Sequence, residues 1–265
     1  MERSTSPLTE GLDPEVVERL SRRETMATVG KIGAAALAVA TVPGMFAAMS
    51  KKAFAQGGLP QQIKDALNFA LTLEYLEAEF YATAVTTSGL IPSPDIAVFQ
   101  QISKHETAHV DLLKSVLGSD AVAKPNFDFT AGGTFSTVFS DYNTFLALAQ
   151  GFEDTGVRAY KGQAGELIAD NGVLTTALQI HSVEARHASE VRRIRGQKGW
   201  ITQDNYDAGI PAAAGNPIYS GEENLTQGGV NVTTITSVGA DGVTEAFDEP
   251  LAKADVLAIA SLFIQ

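Results

Sequence analysis

Four segments of the chain each place a glutamate on an apolar helical stripe, where close packing would favour a leucine. Along each stripe the apolar residues recur at spacings of three and four, which is typical of helices in a bundle. The four glutamates are Glu74, Glu106, Glu153 and Glu184. Four carboxylates that meet in an apolar interior without positive charge would be very unfavourable. The pattern therefore indicates that divalent cations neutralise them.

Two of these stripes also carry a histidine three residues after the glutamate. The resulting motifs are Glu106-x-x-His109 and Glu184-x-x-His187. Residues at i and i+3 lie on the same face of a helix. We therefore expect both side chains of each motif to reach one point in the bundle.

The segments form two matched pairs, which indicates an internal repeat. Tyr81 follows Glu74 by 7 residues, and Tyr160 follows Glu153 by 7 residues. The second glutamate of each pair follows the first after 32 residues in one case and 31 in the other. The second helix pair thus repeats the pattern of the first. This repeat predicts a site with pseudo-twofold symmetry.

The sequence predicts four helices and one long connection. The first begins with Pro60 at its first helical position and ends at Ser88-Gly89, while Asp95 caps the second, which ends at Gly118. The third begins near Asp141, and a turn at Asp170-Asn171-Gly172 leads to the fourth, which ends at Gly196. Residues 119–140 are rich in Gly, Phe, Ser and Thr, and their length suits a crossover along the bundle.

The tail after residue 199 differs from the bundle, since it is rich in Gly, Pro, Asn and Thr. Alternation predicts strands at 230–238 and 243–247, joined by a turn at Asp241-Gly242. A short apolar helix is predicted within 252–263. We expect residues 200–265 to wrap around the same domain as residues 56–199.

Residues 1–55 have the pattern of an export signal rather than of a folded segment. Arg22-Arg23 precedes an apolar run at 32–49, and Ala53-Phe54-Ala55 provides a cleavage site. This favours a twin-arginine signal peptide, an extracytoplasmic (periplasmic) location and no stable membrane span after cleavage. The alternative is an uncleaved membrane anchor.

Composition limits the chemistry that the chain can perform. It has no cysteine, which excludes disulfides, thiolate zinc sites, iron–sulfur clusters and a catalytic thiol. Its formal net charge of −12 argues against nucleic acid as a partner, because a nucleic-acid interface needs a basic face. A metal site here must be built from carboxylates and imidazoles.

The complete motif set resembles the ferritin-like superfamily over about residues 60–196. The segment Leu73–Tyr81, the exported start and the segment Phe247–Leu251 are similar to a ferritin-like domain family that includes plant desiccation-related proteins. The resemblance implies an all-α, ferritin-like four-helix bundle with a dinuclear metal site. It also implies the role of each side chain: Glu74 and Glu153 are terminal ligands, Glu106 and Glu184 bridge two metals, His109 and His187 bind one metal each, and Tyr81 and Tyr160 lie beside the ligands.

Several residues have a less specific interpretation. Tyr81 and Tyr160 are equally consistent with ordinary core aromatics. Glu77 is an alternative to Glu74, but its counterpart in the second pair is Gly156, which favours Glu74. Side chains expected to be solvated are Glu77, Glu79, Asp154 and Glu190. His105 and His181 have no counterparts, and we expect them at the surface or behind a ligand.

The segment His105–His109 also matches H-E-x-x-H, the motif of zinc proteases. In that interpretation His105 and His109 bind zinc and Glu106 is the base. It leaves the second helix pair unexplained, because Val183 precedes Glu184 where His105 precedes Glu106. The dinuclear interpretation is therefore favoured.

We expect an exported protein that binds two iron ions and acts as an oxidase or ferroxidase. Its small-molecule substrate would be O₂ or H₂O₂. Hard carboxylates with two imidazoles suit iron or manganese. One alternative is two manganese ions that disproportionate peroxide, as in manganese catalases. Another is a non-enzymatic stress or desiccation-related protein whose metals only stabilise the bundle. Association into a homodimer through helix faces is compatible with each of these.

Overall fold

Four long helices dominate the computed structural model, which describes residues 58–205, 210 and 217–265. They are α1 (Gln61–Thr86), α2 (Ile96–Leu117), α3 (Tyr142–Gln163) and α4 (Asn171–Ile194). The predicted all-α bundle is confirmed. The predicted export signal at 1–55 lies outside the described residues, and no helix among the described residues is long and apolar enough to cross a membrane.

Aspartates begin the helices of the second pair. Asp141 accepts a hydrogen bond from the backbone N–H of Thr144 at 2.7 Å, and Asp170 accepts one from that of Val173 at 2.9 Å. Each satisfies an N–H that has no partner within its helix. The predicted turn at 170–172 is therefore wrong in detail, because Asn171 and Gly172 already belong to α4.

The first pair begins differently from the prediction. Pro60 occupies the cap position before α1 rather than the first helical position. Asp95 precedes α2 but makes no capping hydrogen bond, and its carboxylate accepts a hydrogen bond from the Tyr142 hydroxyl at 2.8 Å. This contact joins the start of α2 to the start of α3.

The helices pair as α1 with α2 and α3 with α4. Two apolar clusters fill the bundle, one at each end. The first contains Phe80, Phe99, Phe145 and Val191, and the second contains Leu67, Leu113, Tyr160 and Ile180. α1 and α4 run from the second cluster to the first, while α2 and α3 run in the opposite direction. Helices α2 and α3 are therefore parallel.

Two consecutive helices that run parallel need a connection as long as the bundle, and residues 118–141 provide it. A short 3₁₀ helix (Gly118–Asp120) begins the connection, and Gly118 has a φ of 58°, which favours glycine. Phe129, Phe135 and Val138 are buried in the first cluster. The predicted crossover is confirmed, and its phenylalanines attach it to the bundle.

Among its described residues the tail contains a small hairpin and several short helical segments, of which residues 217–219 are the first. The elements are β1 (Thr226–Gln227), β2 (Val230–Asn231), a 3₁₀ helix (Val232–Thr234), α5 (Gly239–Thr244) and α6 (Lys253–Ala260). The predicted strand at 230–238 is present only at Val230–Asn231, where it pairs with β1, and the predicted strand at 243–247 is wrong. Asn231 accepts a hydrogen bond from the Thr233 N–H at 3.0 Å, which starts a helical turn, and Asp241-Gly242 lies inside α5. The predicted short helix near the C-terminus is confirmed as α6.

A buried arginine attaches the tail to the bundle. Arg158 of α3 donates hydrogen bonds to the carbonyls of Ser220 at 2.7 Å and Glu249 at 2.8 Å, and its Nε lies 2.8 Å from Glu222 Oε1. The Leu251 N–H donates to the Arg158 carbonyl at 3.1 Å. The tail thus packs along α3, on the outside of the helix that supplies Glu153.

Candidate metal centre

The four glutamates lie midway along their helices, between the two apolar clusters. None of them is exposed to solvent, whereas His109 and His187 retain 8% and 5% of their exposure. The helical period places each Glu-x-x-His pair on the inner face of α2 or α4. The structure brings all six predicted ligands together, two from each Glu-x-x-His helix and one from each of the others.

One half of the centre is arranged around His109. Its Nδ1 lies 3.2 Å from Glu74 Oε2, 3.1 Å from Glu106 Oε2 and 3.1 Å from Glu184 Oε1. These side chains come from α1, α2 and α4. Their ligand atoms lie within 4.8 Å of one another, a spacing that suits a single cation.

The other half repeats this arrangement around His187. Its Nδ1 lies 3.0 Å from Glu106 Oε1, 3.3 Å from Glu153 Oε2 and 3.1 Å from Glu184 Oε2. These atoms also lie within 4.8 Å of one another. The two groups are related as the internal repeat predicts.

Glu106 and Glu184 belong to both groups, with one oxygen in each. Glu106 directs Oε2 to His109 and Oε1 to His187, while Glu184 directs Oε1 to His109 and Oε2 to His187. Glu74 contributes only to the first group, and Glu153 only to the second. This is the division between bridging and terminal carboxylates that the family resemblance implies.

The polar atoms of the centre fit metal ions better than they fit one another. Each imidazole Nδ1 carries at most one proton but faces three carboxylate oxygens. Three buried oxygens of the centre accept no hydrogen bond from the described residues: Glu106 Oε1, Glu153 Oε2 and Glu184 Oε1. Such atoms are costly in an apolar interior. A cation in each group would satisfy them, and carboxylates with imidazole are a donor set for iron or manganese.

Tyrosines hold the terminal glutamates, and each does so across the pseudo-twofold axis. Tyr81 of α1 donates to Glu153 Oε1 of α3 at 2.5 Å, and Tyr160 of α3 donates to Glu74 Oε1 of α1 at 2.5 Å. Each terminal glutamate therefore has one oxygen fixed by a tyrosine and the other directed at an imidazole. Both tyrosines thus contact predicted ligands.

Electrostatics in the metal-free centre favour protonated imidazoles. Burial lowers the pKa of His187, but Glu153, Glu106 and Glu184 raise it overall to about 12. The pKa of His109 is likewise far above its ordinary range, because Glu74, Glu106 and Glu184 outweigh burial. Protons on the two imidazoles thus occupy the place that cations would take.

The carboxylates respond in different directions. Burial raises the pKa of Glu184, but the adjacent imidazoles of His109 and His187 lower it overall to about 2. Burial and the neighbouring Glu184 raise the pKa of Glu153 to about 7, despite the opposing effect of His187. Burial, followed by Glu184, raises that of Glu106 well above its usual range. The carboxylates therefore hold protons unequally when no metal is bound.

His105 lies behind a predicted ligand, as expected. Its Nδ1 is 2.9 Å from His187 Nε2, the two rings stack with centroids 5.1 Å apart, and Gln101 Nε2 lies 2.7 Å from His105 Nε2. His105 belongs to neither candidate metal group. The zinc-protease arrangement of His105 with His109 is thus not formed by the described residues.

Two of the side chains predicted to be solvated are buried. Glu77 is 3% exposed and faces Gly156 of α3, so the prediction for it is wrong. Asp154 is 2% exposed, because Arg192 and Tyr219 bind its Oδ2, each at 2.5 Å. Tyr219 lies in the tail, so no spacing within the bundle predicts this contact. The signal for Glu77 was its position one helical turn after Glu74.

A comparison with protein families gives an independent result. A family model described as a ferritin-like domain matches residues 62–197, which is about half of the chain and covers all four bundle helices. No curated protein matches the chain. The match, the four-helix bundle and the two buried carboxylate–histidine groups agree: the chain belongs to the ferritin-like domain family.

Proposed function

We propose that this chain is an exported dinuclear iron protein that oxidises Fe(II) or consumes peroxide. The observation that carries the proposal is the sharing of Glu106 and Glu184, oxygen by oxygen, between two buried groups that each contain one imidazole. Four carboxylates balance the charge of two divalent cations, with both imidazoles neutral. When bound, a pair of iron ions would supply exchange between Fe(II) and Fe(III), which O₂ or H₂O₂ drives.

The residues of the chain would position the metals, exclude water from them, and bind or release protons. Tyr81 and Tyr160 each bind one oxygen of Glu153 and Glu74, so each of these glutamates would offer its other oxygen to a metal. Apolar clusters at both ends of the centre exclude water. Metal binding would displace protons from His109 and His187, because a metal and a proton compete for the same Nδ1.

An extracytoplasmic location is part of the proposal. It is supported by Arg22-Arg23, the apolar run at 32–49 and the Ala53-Phe54-Ala55 site. The resemblance to exported, desiccation-related ferritin-like proteins supports a role under oxidative stress. Cell fractionation with an antibody to the tail, and the mass of the exported form, test both the location and the cleavage.

The central test removes the two shared glutamates. A Glu106→Ala, Glu184→Ala double variant should lose dinuclear binding, because each substitution removes a ligand from both groups. Elemental mass spectrometry of protein purified from the exported compartment should find about two iron ions per wild-type chain and less than about one in the variant. Glu190→Ala, at an exposed position of α4, is the matched control and should retain the wild-type content.

Other outcomes would change the proposal. About two manganese ions per chain, with O₂ released from H₂O₂, would favour peroxide disproportionation. Bound metal without turnover in any assay would favour a purely stabilising role. Full metal content in the double variant would contradict the site itself.

A further inference from the structure

A cleft with a free volume of about 370 Å³ lies between the bundle and the tail. Helices α3 and α4 form one side of it, and two tail segments, 199–201 and 245–248, form the other. We call it the tail cleft. None of the six predicted metal ligands lines it. Its volume lies within the range of sites for small organic molecules, which is about 300–1,000 Å³.

Hydrogen bonds hold the two tail segments of the cleft together. The Glu245 carboxylate accepts one from Lys198 at 2.5 Å and one from Thr202 at 2.7 Å. The Thr244 hydroxyl accepts another from the Gln203 N–H at 3.0 Å. The cleft is therefore formed in advance, which lowers the entropic cost of binding a ligand there.

Two aromatic side chains border the tail cleft and remain open to solvent. Trp200 is 51% exposed and Phe247 is 39% exposed. The bundle contributes mainly small apolar side chains to the same cleft, among them Ala185 and Ala188 of α4 and Val157 of α3. Exposed rings beside such a surface can stack on a planar ligand and shield it from water.

Five charged side chains line the tail cleft, and three of them are paired. Arg192 binds Asp154 at 2.5 Å, and Glu245 is held by the hydrogen bonds described above. The other two are Arg186 of α4 and Asp248 of the tail, whose charged groups form no ion pair with any described residue. The cleft thus offers one open positive charge on the bundle side and one open negative charge on the tail side.

Further hydrogen-bond donors line the cleft near Arg186. Ser189 follows it by one helical turn, and its hydroxyl donates no hydrogen bond among the described residues. Gly199 leaves this hydroxyl uncovered, since a Cβ there would lie 2.6 Å from Ser189 Oγ. The Nη1 of Arg192 makes a single contact within the described chain, to a backbone carbonyl at 3.5 Å, so it retains a free donor. Guanidinium and hydroxyl donors of this kind bind carboxylates.

We propose that the tail cleft binds a planar aromatic acid that also carries a hydroxyl or amino group. Its carboxylate binds Arg186 and the donors beside it on α4. Its ring lies against Trp200 and Phe247, and Asp248 accepts a hydrogen bond from its hydroxyl or amino group. This inference goes beyond the proposed function, which involves only metal ions, O₂ and H₂O₂, and it does not depend on it.

The test uses 4-hydroxybenzoate as the probe, titrated into the exported protein as purified. Trp200 is the only tryptophan of the chain, so its fluorescence reports on this cleft, and calorimetry gives the affinity. We expect saturable binding with a Kd below about 1 mM. Benzoate, which lacks the hydroxyl, and phenol, which lacks the carboxylate, should each bind about threefold more weakly or worse.

Two substitutions should act in opposite directions. Arg186→Gln should lower the affinity for 4-hydroxybenzoate by about fivefold or more, because it removes a charged donor. Asp248→Asn should raise the affinity for benzoate, because it removes the negative charge nearest the ligand, and should reduce the preference for 4-hydroxybenzoate over benzoate. Lys104→Gln removes a positive charge from an exposed position of α2 outside the cleft and should change neither affinity. Circular dichroism checks the folding of each variant.

Each outcome bears on the proposal. Absence of saturable binding of 4-hydroxybenzoate would overturn the site, and equal affinities for phenol and 4-hydroxybenzoate would overturn recognition of a carboxylate. Wild-type affinity in Arg186→Gln, or an equal loss in Lys104→Gln, would show that the probe does not bind in the tail cleft. A loss in Arg186→Gln together with tighter benzoate binding in Asp248→Asn would support the site.

Discussion

At the scale of single residues, His105 makes the two imidazoles of the centre unequal. His187 Nε2 lies 2.9 Å from His105 Nδ1, whereas His109 Nε2 has no hydrogen-bond partner among the described residues. The residue equivalent to His105 in the second pair is Val183, which cannot form this bond. If Nδ1 of His187 binds a metal, its Nε2 carries the ring proton. The Nε2–H then donates a hydrogen bond to His105 Nδ1, which fixes the orientation of the His187 ring.

We expect His105→Phe to weaken one of the two metal sites selectively. Phenylalanine keeps a ring to stack on His187 but removes the hydrogen bond, and loss of such an outer contact typically lowers metal affinity about 10–100-fold. Titration with Co(II), followed by its visible absorption, should show one unchanged and one weakened binding step.

The matched control for this prediction is His181→Phe, because His181 lies on α4 but in neither metal group. Its Co(II) titration should match that of the wild type. Two unchanged steps in His105→Phe would show that the hydrogen bond does not support His187.

At the scale of helices and strands, the structure depends on how tightly the tail packs against α3. Gly162 lies near the end of α3, where the carbonyl of Leu251 crosses it. A Cβ at this position would be only 2.0 Å from that oxygen. The contact follows from the Leu251 backbone, which is fixed by its hydrogen bond to the Arg158 carbonyl.

Gly162→Ala should therefore lower the free energy of unfolding by about 1–3 kcal/mol, because backbone must move to admit the methyl group. The intrinsic helix preference of alanine would act in the opposite direction, so a loss identifies the clash. Urea unfolding followed by circular dichroism measures the change, and limited proteolysis shows whether the tail detaches first.

Gly165→Ala provides the comparison, since nothing lies within 4 Å of a Cβ at that position. It should leave the free energy of unfolding unchanged or slightly higher. Equal effects at the two glycines would contradict a tightly packed tail.

The helices were predictable because each has a strong local signal. Apolar spacing, Asp141 at the start of α3 and Gly118 as a stop all act within a few residues. The tail was not predictable in the same way. Its alternating segment after Val230 is mostly exposed, and the local hydrogen bond of Asn231 outweighs its preference for a strand.

The same distinction applies to the candidate site. The six predicted ligands could be found because their spacing places them on inner helix faces, and the structure brings them together. Whether they bind metal stays a prediction. Burial of Glu77 depends on Gly156 of another helix, and burial of Asp154 on Tyr219 of the tail, so neither could be derived from one helix alone.

At the scale of the whole molecule, stability and metal loading are linked through protons. In the metal-free protein the pKa of His187 is raised to about 12, so its stabilising effect is complete below pH 6.5 and is lost as the pH rises towards 12. The pKa of Glu184 is lowered to about 2, so its effect is complete above pH 4.5 and is lost as the pH falls towards 2. The pKa of Glu153 is raised to about 7, so its stabilising effect is complete below pH 4.5 and is lost as the pH rises towards 7.

We expect metal-free protein to be most stable towards the acidic side of the window from pH 4.5 to 6.5. Urea unfolding at about pH 5, 7 and 9 in the presence of a chelator should show a declining free energy of unfolding. Saturating Mn(II) should reduce or reverse the decline, because a cation replaces the protons that are lost and binds only the folded chain. Parallel pH profiles with and without metal would contradict the link.

The crossed tyrosines make each half of the bundle depend on the other. Tyr81 of the first helix pair donates a hydrogen bond to Glu153 of the second, and Tyr160 of the second pair donates one to Glu74 of the first. A helix pair on its own would have a tyrosine without an acceptor and a glutamate without a donor, whereas two identical pairs placed face to face would satisfy both. The tyrosine contacts of this single chain thus have the symmetry of a dimer, and the long connection at 118–141 holds its two halves in one molecule.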